Sequence, residues 1–374
     1  MRKGWEYKKL GDCTQILDSQ RKPVTKRDRK SGIYPYYGAT GIQDYVDKYI
    51  FDGRYVLVGE DGAKWSSFTQ SAFIIEGKTW VNNHAHVLRT NDFLVDSFLV
   101  YFLNYSDLDS YISGAIIRKL TQASLRNIDI PLPPKSTQLA IVSELDKINE
   151  LIRLKKEQLK DFDNLAQSLF YEMFGDPVEN EKGWEVKKLN EIVSDNCSIS
   201  YGIVQPGDGV ENGVPVVRPV DMTKTFVSRK GLKNTTKEIS DSYKRTILKG
   251  NEILMCVRGT TGLISMATPE LQGCNVTRGI APIECGPTCD KWFVFYQILN
   301  PAIQHHIAEY TRGIALKQIN MKDVRDIPLC LPPLSLQRLF AQRIEQIERE
   351  KSEVQKSIQD LETLLASRMQ YWFE

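Results

Sequence analysis

A chain of 374 residues, 41% hydrophobic and 26% charged, is long enough for more than one core and has the balance of a soluble globular protein. Its formal net charge of +2 excludes a polycation that holds nucleic acid by bulk charge, so any such contact must come from local clusters. The apolar run 93–103 is too short to span a bilayer and contains Asp96, no signal peptide is read, and seven cysteines, an odd number, suit reduced thiols in a cytoplasm.

In chain order, a first globular segment occupies residues 1–134. It opens on Gly4-Trp5-Glu6-Tyr7-Lys8-Lys9-Leu10 and continues into a turn-rich basic stretch with Lys22, Lys26, Arg27 and Tyr36. The run 55–59 reads as a strand closed by a glycine turn at 60–63, followed by Lys64 and Trp65. Asn82, Asn83 and His84 then precede a second strand near 85–88, an apolar helix follows at about 95–104, and Arg118 and Lys119 stand before the exit Ile130-Pro131-Leu132-Pro133-Pro134.

Residues 135–175 read as one long helix. Ile141, Leu145, Ile148, Ile152, Leu159, Phe162, Ala166, Leu169 and Met173 fall at alternating four-and-three spacing, which is a coiled-coil seam with Lys155 in one slot. Pro133 and Pro134 stop the preceding chain, Ser136 is placed to cap the first turn, and Gly175 with Pro177 ends the helix.

The second half repeats this order. A globular segment at 176–333 opens on Gly183-Trp184-Glu185-Val186-Lys187-Lys188-Leu189 and closes on Ile327-Pro328-Leu329-Cys330-Leu331-Pro332-Pro333. Between them lie Arg218, Lys224, Arg229 and Lys233, a strand at 252–257 with Arg258, Thr260 and Thr261 in its glycine turn, Arg278 before a strand at 280–283, a helix at about 292–300, and Arg312 and Lys317. Residues 334–374 then carry Phe340, Ile344, Ile347, Val354, Ile358, Leu361, Leu365 and Trp372, with Ser335 after the second proline pair. A shift of 199 residues lays one seam on the other, whereas the openings are only 179 apart, so the second segment holds 20 extra residues.

These patterns predict an α/β (α+β) protein: two small globular domains with curved, irregular sheets, separated by two long antiparallel coiled-coil helices with pseudo-two-fold symmetry. Each helix, roughly 55–60 Å long, needs a partner, and the other is the obvious one. Antiparallel pairing puts the globular segments at opposite ends and the chain termini side by side.

Catalytic signatures are missing. There is no phosphate loop and no amino-methyltransferase motif, and the Glu-x-Lys patterns at Glu76 and Glu185 are too short to assign a nuclease. Cys285 and Cys289, with Cys256 and Cys274 upstream, lack the second pair of a zinc site and read as buried thiols, and His305 and His306 read as helix residues. No catalytic or metal site is assigned. What remains is a basic and polar set at equivalent turns of both halves that differs in identity. Arginine and asparagine forks read base edges while lysines hold phosphates, so the candidate DNA-binding residues are Lys22, Lys26, Arg27, Tyr36, Lys64, Trp65, Asn82, Asn83, His84, Arg118 and Lys119 in the first half and Arg218, Lys224, Arg229, Lys233, Arg258, Thr260, Thr261, Arg278, Arg312 and Lys317 in the second. Two divergent readers on a shared frame suit a bipartite DNA target with an unread gap. A coiled-coil scaffold with two protein-interaction domains is the alternative.

The layout resembles the specificity subunits of type I restriction-modification systems, over essentially the whole chain, in the Gly-Trp-Glu-x-Lys-Lys-Leu openings, the Pro-Pro exits and the two helices. The resemblance implies two target recognition domains (1–134 and 176–333), two conserved spacer helices (135–175 and 334–374), and no catalysis or cofactor in this chain. It implies double-stranded DNA, two methyltransferase subunits using S-adenosylmethionine, and two restriction subunits using ATP and Mg as partners, and no membrane. Trp5, Trp184 and the outer helix faces are then expected in the frame and in subunit docking. The chain is short for that family, chiefly in its first domain. The seam exchange of Lys155 for Val354 and of Ile152 for Lys351 is expected to favour pairing within one chain over pairing between copies.

Overall fold

The computed structural model describes residues 5–314 and 316–374, so Gly4 of the opening repeat and Ala315, ahead of the second exit, lie outside the described residues. In chain order its first half comprises β1 (Glu6–Lys9), α1 (Leu10–Cys13), β2 (Thr14–Ile16), β3 (Ser31–Gly38), β4 (Gly41–Val46), β5 (Phe51–Gly59), β6 (Ala72–Val81), β7 (Ala85–Thr90), α2 (Asp96–Tyr105), β8 (Ile112–Ser113), β9 (Lys119–Leu120), α3 (Gln122–Arg126), β10 (Asp129–Leu132) and α4 (Lys135–Phe174). The second comprises β11 (Glu185–Lys188), β12 (Val214–Val217), β13 (Lys233–Thr235), α5 (Lys237–Asp241), β14 (Ile253–Cys256), β15 (Ile264–Met266), β16 (Asn275–Val276), β17 (Ile280–Ile283), α6 (Lys291–Leu299), α7 (Pro301–Glu309), α8 (Met321–Arg325), β18 (Pro328–Leu331) and α9 (Leu334–Phe373). Two compact units result: residues 1–157 with 355–374, and residues 158–354.

The first unit is organised on a six-stranded mixed sheet of order β2-β7-β5-β6-β3-β4. β5 is central because Val56, Leu57 and Val58 are buried on both faces, which a continuous apolar run allows and an alternating one does not. One face packs on Phe98, Leu99 and Leu103 of α2 together with Ile141 and Leu145 of α4 and Met369 of α9. The other holds Leu57, Ile75, Val81 and Val87. Trp5 and Phe373 both approach Phe98, with ring centroids at 6.4 and 5.5 Å, so the N-terminal strand and the C-terminal helix share one core. Tyr36 and Tyr37 lie within β3; the turn-rich stretch read from sequence ends before them.

The second unit replaces the large sheet by two three-stranded sheets, β13-β12-β16 and β15-β14-β17. Its core continues into a ring cluster on the helices: Phe170 stacks on Phe293 at 5.8 Å, and Phe174 and Phe340 meet them edge-on.

The repeated sequence motifs are partners of each other. In the first unit the opening strand β1 pairs antiparallel with the exit strand β10, Glu6 opposite Leu132; in the second β11 pairs with β18, Glu185 opposite Leu331. Lys9 reaches Asp129 and Lys188 reaches Asp326, each at 2.8 Å. Trp184 donates its indole N–H to the Phe174 carbonyl at 2.9 Å, and Lys182 donates to the Glu172 and Met173 carbonyls, so the open end of α4 is closed by the second opening motif. Gly175 adopts φ +77, the left-handed turn a helix stop needs.

The helices depart from the sequence reading in two places. Both start one residue before the serine, so Ser136 and Ser335 lie inside the helix, and the first-turn amides bond to the Pro134 and Pro333 carbonyls instead. The seam also drifts: Phe170, Phe174 and Met369 are buried where strict heptads give Leu169, Met173 and Arg368. A straight helix falls out of step with a seven-residue repeat by ~20° per heptad, and over this length that moves the apolar line by one position. Within each unit the helices pair antiparallel. Arg368 and Trp372 bond to Glu144 in the first, and Lys351 reaches Asp163 at 2.7 Å in the second.

Candidate nucleic-acid interface

In the first unit the candidate turn is built where β5 ends and β7 begins, Gly59 opposite Ala85. The Glu60 amide donates to the His84 carbonyl at 2.8 Å, and the Leu120 amide donates to the Glu60 carbonyl at 2.8 Å, which brings the β8–β9 hairpin against the same turn. Asp61 pairs with Lys119 in a β-bridge, and its carboxylate meets His84 Nδ1 at 2.5 Å. On the other side, Trp80 donates its indole N–H to the Lys22 carbonyl at 2.7 Å, holding that strap at the end of β6. Lys22, Lys64, Asn83, His84, Arg118 and Lys119 are thereby gathered at one end of the sheet.

A buried charged network braces this edge. His86 Nδ1 lies 2.6 Å from Asp18, and its Nε2 faces the Leu120 carbonyl at 2.8 Å. Arg21 bonds to Glu60 and to the Ala85 carbonyl, and Lys119 meets Glu60 at 2.7 Å. Burial pushes the Asp18 carboxyl upward, but the His86 bond, the Val87 amide and Arg21 outweigh it and hold the acid below its ordinary value. Glu60 is depressed in the same way, its burial outweighed by Lys119 and Arg21. Asp18, Glu60 and His86 bring potential ligand atoms within 4.8 Å of one another. Arg21 and Lys119 already supply the positive charge there, so the group acts as an ion-pair hub that fixes the turn.

The second unit reaches the same construction from different strands. β14 runs into the Arg258–Gly262 turn, and the Gly259 amide donates to the Lys317 carbonyl at 2.8 Å while Arg258 and Gln318 form a bridge. Arg312 and Gln318 exchange two 2.8 Å backbone bonds, closing a hairpin in the place of β8–β9. The Val257 amide donates to Gly279, the Thr277 amide to Val217 and the Arg278 amide to Ile203, so the strand ends bearing Arg218, Arg258 and Arg278 converge. Gly279 is required there, since a Cβ would lie 2.8 Å from the Pro219 ring. Thr261 meets Thr311 at 3.1 Å, tying the turn to the end of α7.

Three sequence candidates are turned inward. Trp65 is buried and donates its indole N–H to the Gly59 carbonyl at 3.1 Å. Tyr36 is buried, with its hydroxyl on the Val24 backbone and its ring under Arg29. Asn82 is buried, accepts from the His84 amide at 2.8 Å and donates to Gln43. They shape the surface from beneath. Asn275, which holds the corresponding place in the second unit, is likewise buried among Thr246 and Ser240.

Lys26 and Arg27 are exposed on the separate Thr25–Asp28 turn. Lys224 is placed beside β15 through the Ser265 hydroxyl, Arg229 donates to the Glu270 carbonyl, and Lys233 lies in β13, all apart from the Arg258 turn. Arg118 pairs with Asp109 and Arg218 with Asp221. Among the described residues no ion pair engages Lys22, Lys26, Arg27, Lys64, Lys224, Arg229, Lys233, Arg258, Arg278, Arg312 or Lys317, which leaves their charge for an outside anion. Sequence reading missed Gln43, an amide exposed beside Asn82, and the buried brace of Asp18, Arg21, Glu60 and His86. No short motif marks either, because their members come from separate stretches of the chain: the Asp18–Arg21 turn, β4, the end of β5 and the start of β7.

Two α/β units, each with a cation-bearing turn and hairpin and each completed by paired long helices, form a duplicated architecture. The chain belongs to the family described as Type I restriction modification DNA specificity domain, which matches it twice, at residues 2–161 and 181–363. It is 41% identical over 146 residues to a putative type I restriction enzyme specificity subunit of Haemophilus influenzae, covering 39% of this chain and 38% of that protein. It is 24% identical over 277 residues to the EcoBI specificity subunit of Escherichia coli, covering 68% of this chain and 58% of that protein. The chain thus spans less than two thirds of these relatives' own length. Its fold is similar to a type I restriction-modification S subunit from M. genitalium, with a TM-score of 0.56 at 13% identity, covering 99% of this chain and 96% of that one.

Proposed function

We infer that this chain is the DNA-specificity subunit of a type I restriction-modification complex and carries out no chemistry itself. Each globular unit reads one half of a bipartite, gapped target, and the paired helices set the gap and dock the methyltransferase subunits. The observation that carries this reading is the turn-plus-hairpin construction present in both units with different cations: Lys64, Arg118 and Lys119 in one, Arg258, Arg312 and Lys317 in the other. A shared frame with unlike reading groups is what two different half-sites require.

In this reading the partners are double-stranded DNA, two modification subunits supplying S-adenosylmethionine-dependent adenine methylation, and two restriction subunits supplying ATP- and Mg-dependent cleavage. The complex works in the cytoplasm, and no described helix is long and apolar enough to cross a membrane. The test is genome-wide mapping of methylated adenine in cells expressing this chain with its modification subunits. A single two-part sequence with a fixed unread gap is the expected result. Scattered methylation, or none, overturns the assignment.

A further inference from the structure

The recognition hairpins end in tips that no packing within the protein explains. In the first unit Ile116 is 97% and Ile117 70% exposed; in the second Ile314 is 104% and Leu316 49% exposed. These positions precede the Pro-Pro exits of the two halves and were absent from the candidate DNA contacts read from sequence.

The backbone flanking each tip is held in a set shape. Gly114 has φ +97 and Gly313 φ +102, and a Cβ at either would lie 2.1 Å from the Ile117 carbonyl or 2.3 Å from that of Leu316. Only glycine allows so tight a return, and the hairpin below is closed by Ser113 opposite Lys119 in one unit and Arg312 opposite Gln318 in the other. A large apolar side chain held out in water on a braced loop, twice, marks a contact surface.

The surroundings decide the occupant. Lys64 and Arg118 line the cleft beside the first tip, Arg118 paired there with Asp109 and Lys64 in no ion pair among the described residues, and Arg312 and Lys317 flank the second. An apolar point between cations matches a duplex, whose phosphates border the stacked bases, better than it matches a protein groove.

We propose that the Ile116–Ile117 tip and the tip carrying Ile314 and Leu316 are wedges that enter a groove at each half-site and partly unstack one base step. This rests on the reading that each unit contacts its own half-site. The flanking cations hold the phosphates on either side, and the target is thereby read partly by how readily that step opens.

The test uses the full chain assembled with its modification subunits and a duplex of the mapped target, with 2-aminopurine placed at each half-site position in turn. The wild-type complex is expected to give a fluorescence rise at one step in each half-site. Ile116→Ser with Ile117→Ser removes the rise in one half-site only and weakens binding roughly tenfold. Ile314→Ser with Leu316→Ser does the same in the other, and the leucine variants Ile116→Leu with Ile117→Leu retain it. No rise in the wild type, or a rise unchanged by serine, overturns the wedge. So does failure of the serine variants to assemble with modification subunits before DNA is added, which assigns the tips to protein docking. A wild-type complex that protects both half-sites without unstacking refutes the wedge alone; one that protects neither refutes the half-site reading with it.

Discussion

Gln138 and Gln337, 199 residues apart, make the same clamp in the two units. Gln138 accepts from the Val95 amide at 2.9 Å and donates to the Phe93 and Pro133 carbonyls at 2.9 and 3.0 Å. Gln337 accepts from the Asp290 amide at 2.9 Å and donates to the Pro332 carbonyl at 2.7 Å. Each is fully buried and locks the segment before a domain helix to the Pro-Pro exit. Truncation orphans several backbone groups at once. Gln138→Ala or Gln337→Ala is expected to cost on the order of 2–3 kcal/mol in urea unfolding, with Glu a poor substitute.

The charged brace under the Glu60–Ala63 turn of the first unit sets an acid limit. Asp18 and Glu60 have folded values below their ordinary 3.8 and 4.5. Their stabilisation is therefore fully present above the ordinary values and is lost as pH falls through the depressed ones. Thermal melting should show the first unit weakening below about pH 4.5. Glu60→Gln should flatten that slope at the expense of stability at neutral pH, and an unchanged slope would remove the brace from the account.

Lys351 occupies the seam slot where the first helix has Ile152. It is not snorkelling: its side chain is 16% exposed and spans Asp163 at 2.7 Å and Glu348 at 2.8 Å. Burial alone would lower its pKa, but the bonds to Asp163 and Glu348 outweigh this and raise it. Lys351→Ala leaves the nearly buried Glu348 unpaired and is expected to lose roughly 1–3 kcal/mol. Lys351→Met, which fills the slot but leaves the same acid orphaned, should recover only part, as read by guanidinium titration.

The ring cluster of the second unit predicts a larger effect. Phe170 and Phe340 are fully buried against Phe174 and Phe293, so Phe170→Ala or Phe340→Ala should remove ~3–5 kcal/mol. Calorimetry of the full chain would reveal it as an early transition of this unit.

For DNA, Arg258→Ala in the assembled complex should lower the slope of log K against log salt by about 1 if the side chain holds a phosphate, and relax the sequence at one position if it holds a base. Lys224→Ala, whose residue lies beside β15 rather than in that turn, should leave target choice unchanged.

Much of the fold could be read from the chain because its periodic parts are long. The seams, the proline exits and the opening motifs repeat at fixed offsets, and the strands at β5, β7, β14 and β17 are compact apolar runs. β3, β4 and β6 were not legible, since their glycines, tyrosines and charges read as turns, and only pairing across the sheet makes them strands. At the site, the turns and their cations were visible as clusters. Residue type cannot say which way a side chain faces, so Tyr36, Trp65 and Asn82 looked like contacts although they are braces. The tips were overlooked for the opposite reason: Ile116 and Ile314 look like core residues on paper.

The shared core around Phe98 orders events during synthesis. The unit spanning 158–354 is continuous in sequence, whereas the unit begun first waits for Met369 and Phe373, which are made only after the whole of the second. The nascent first unit must therefore keep part of its apolar interior uncovered until residues 355–374 emerge, and a chain cut before Met369 should be damaged in that unit rather than in the one made after it.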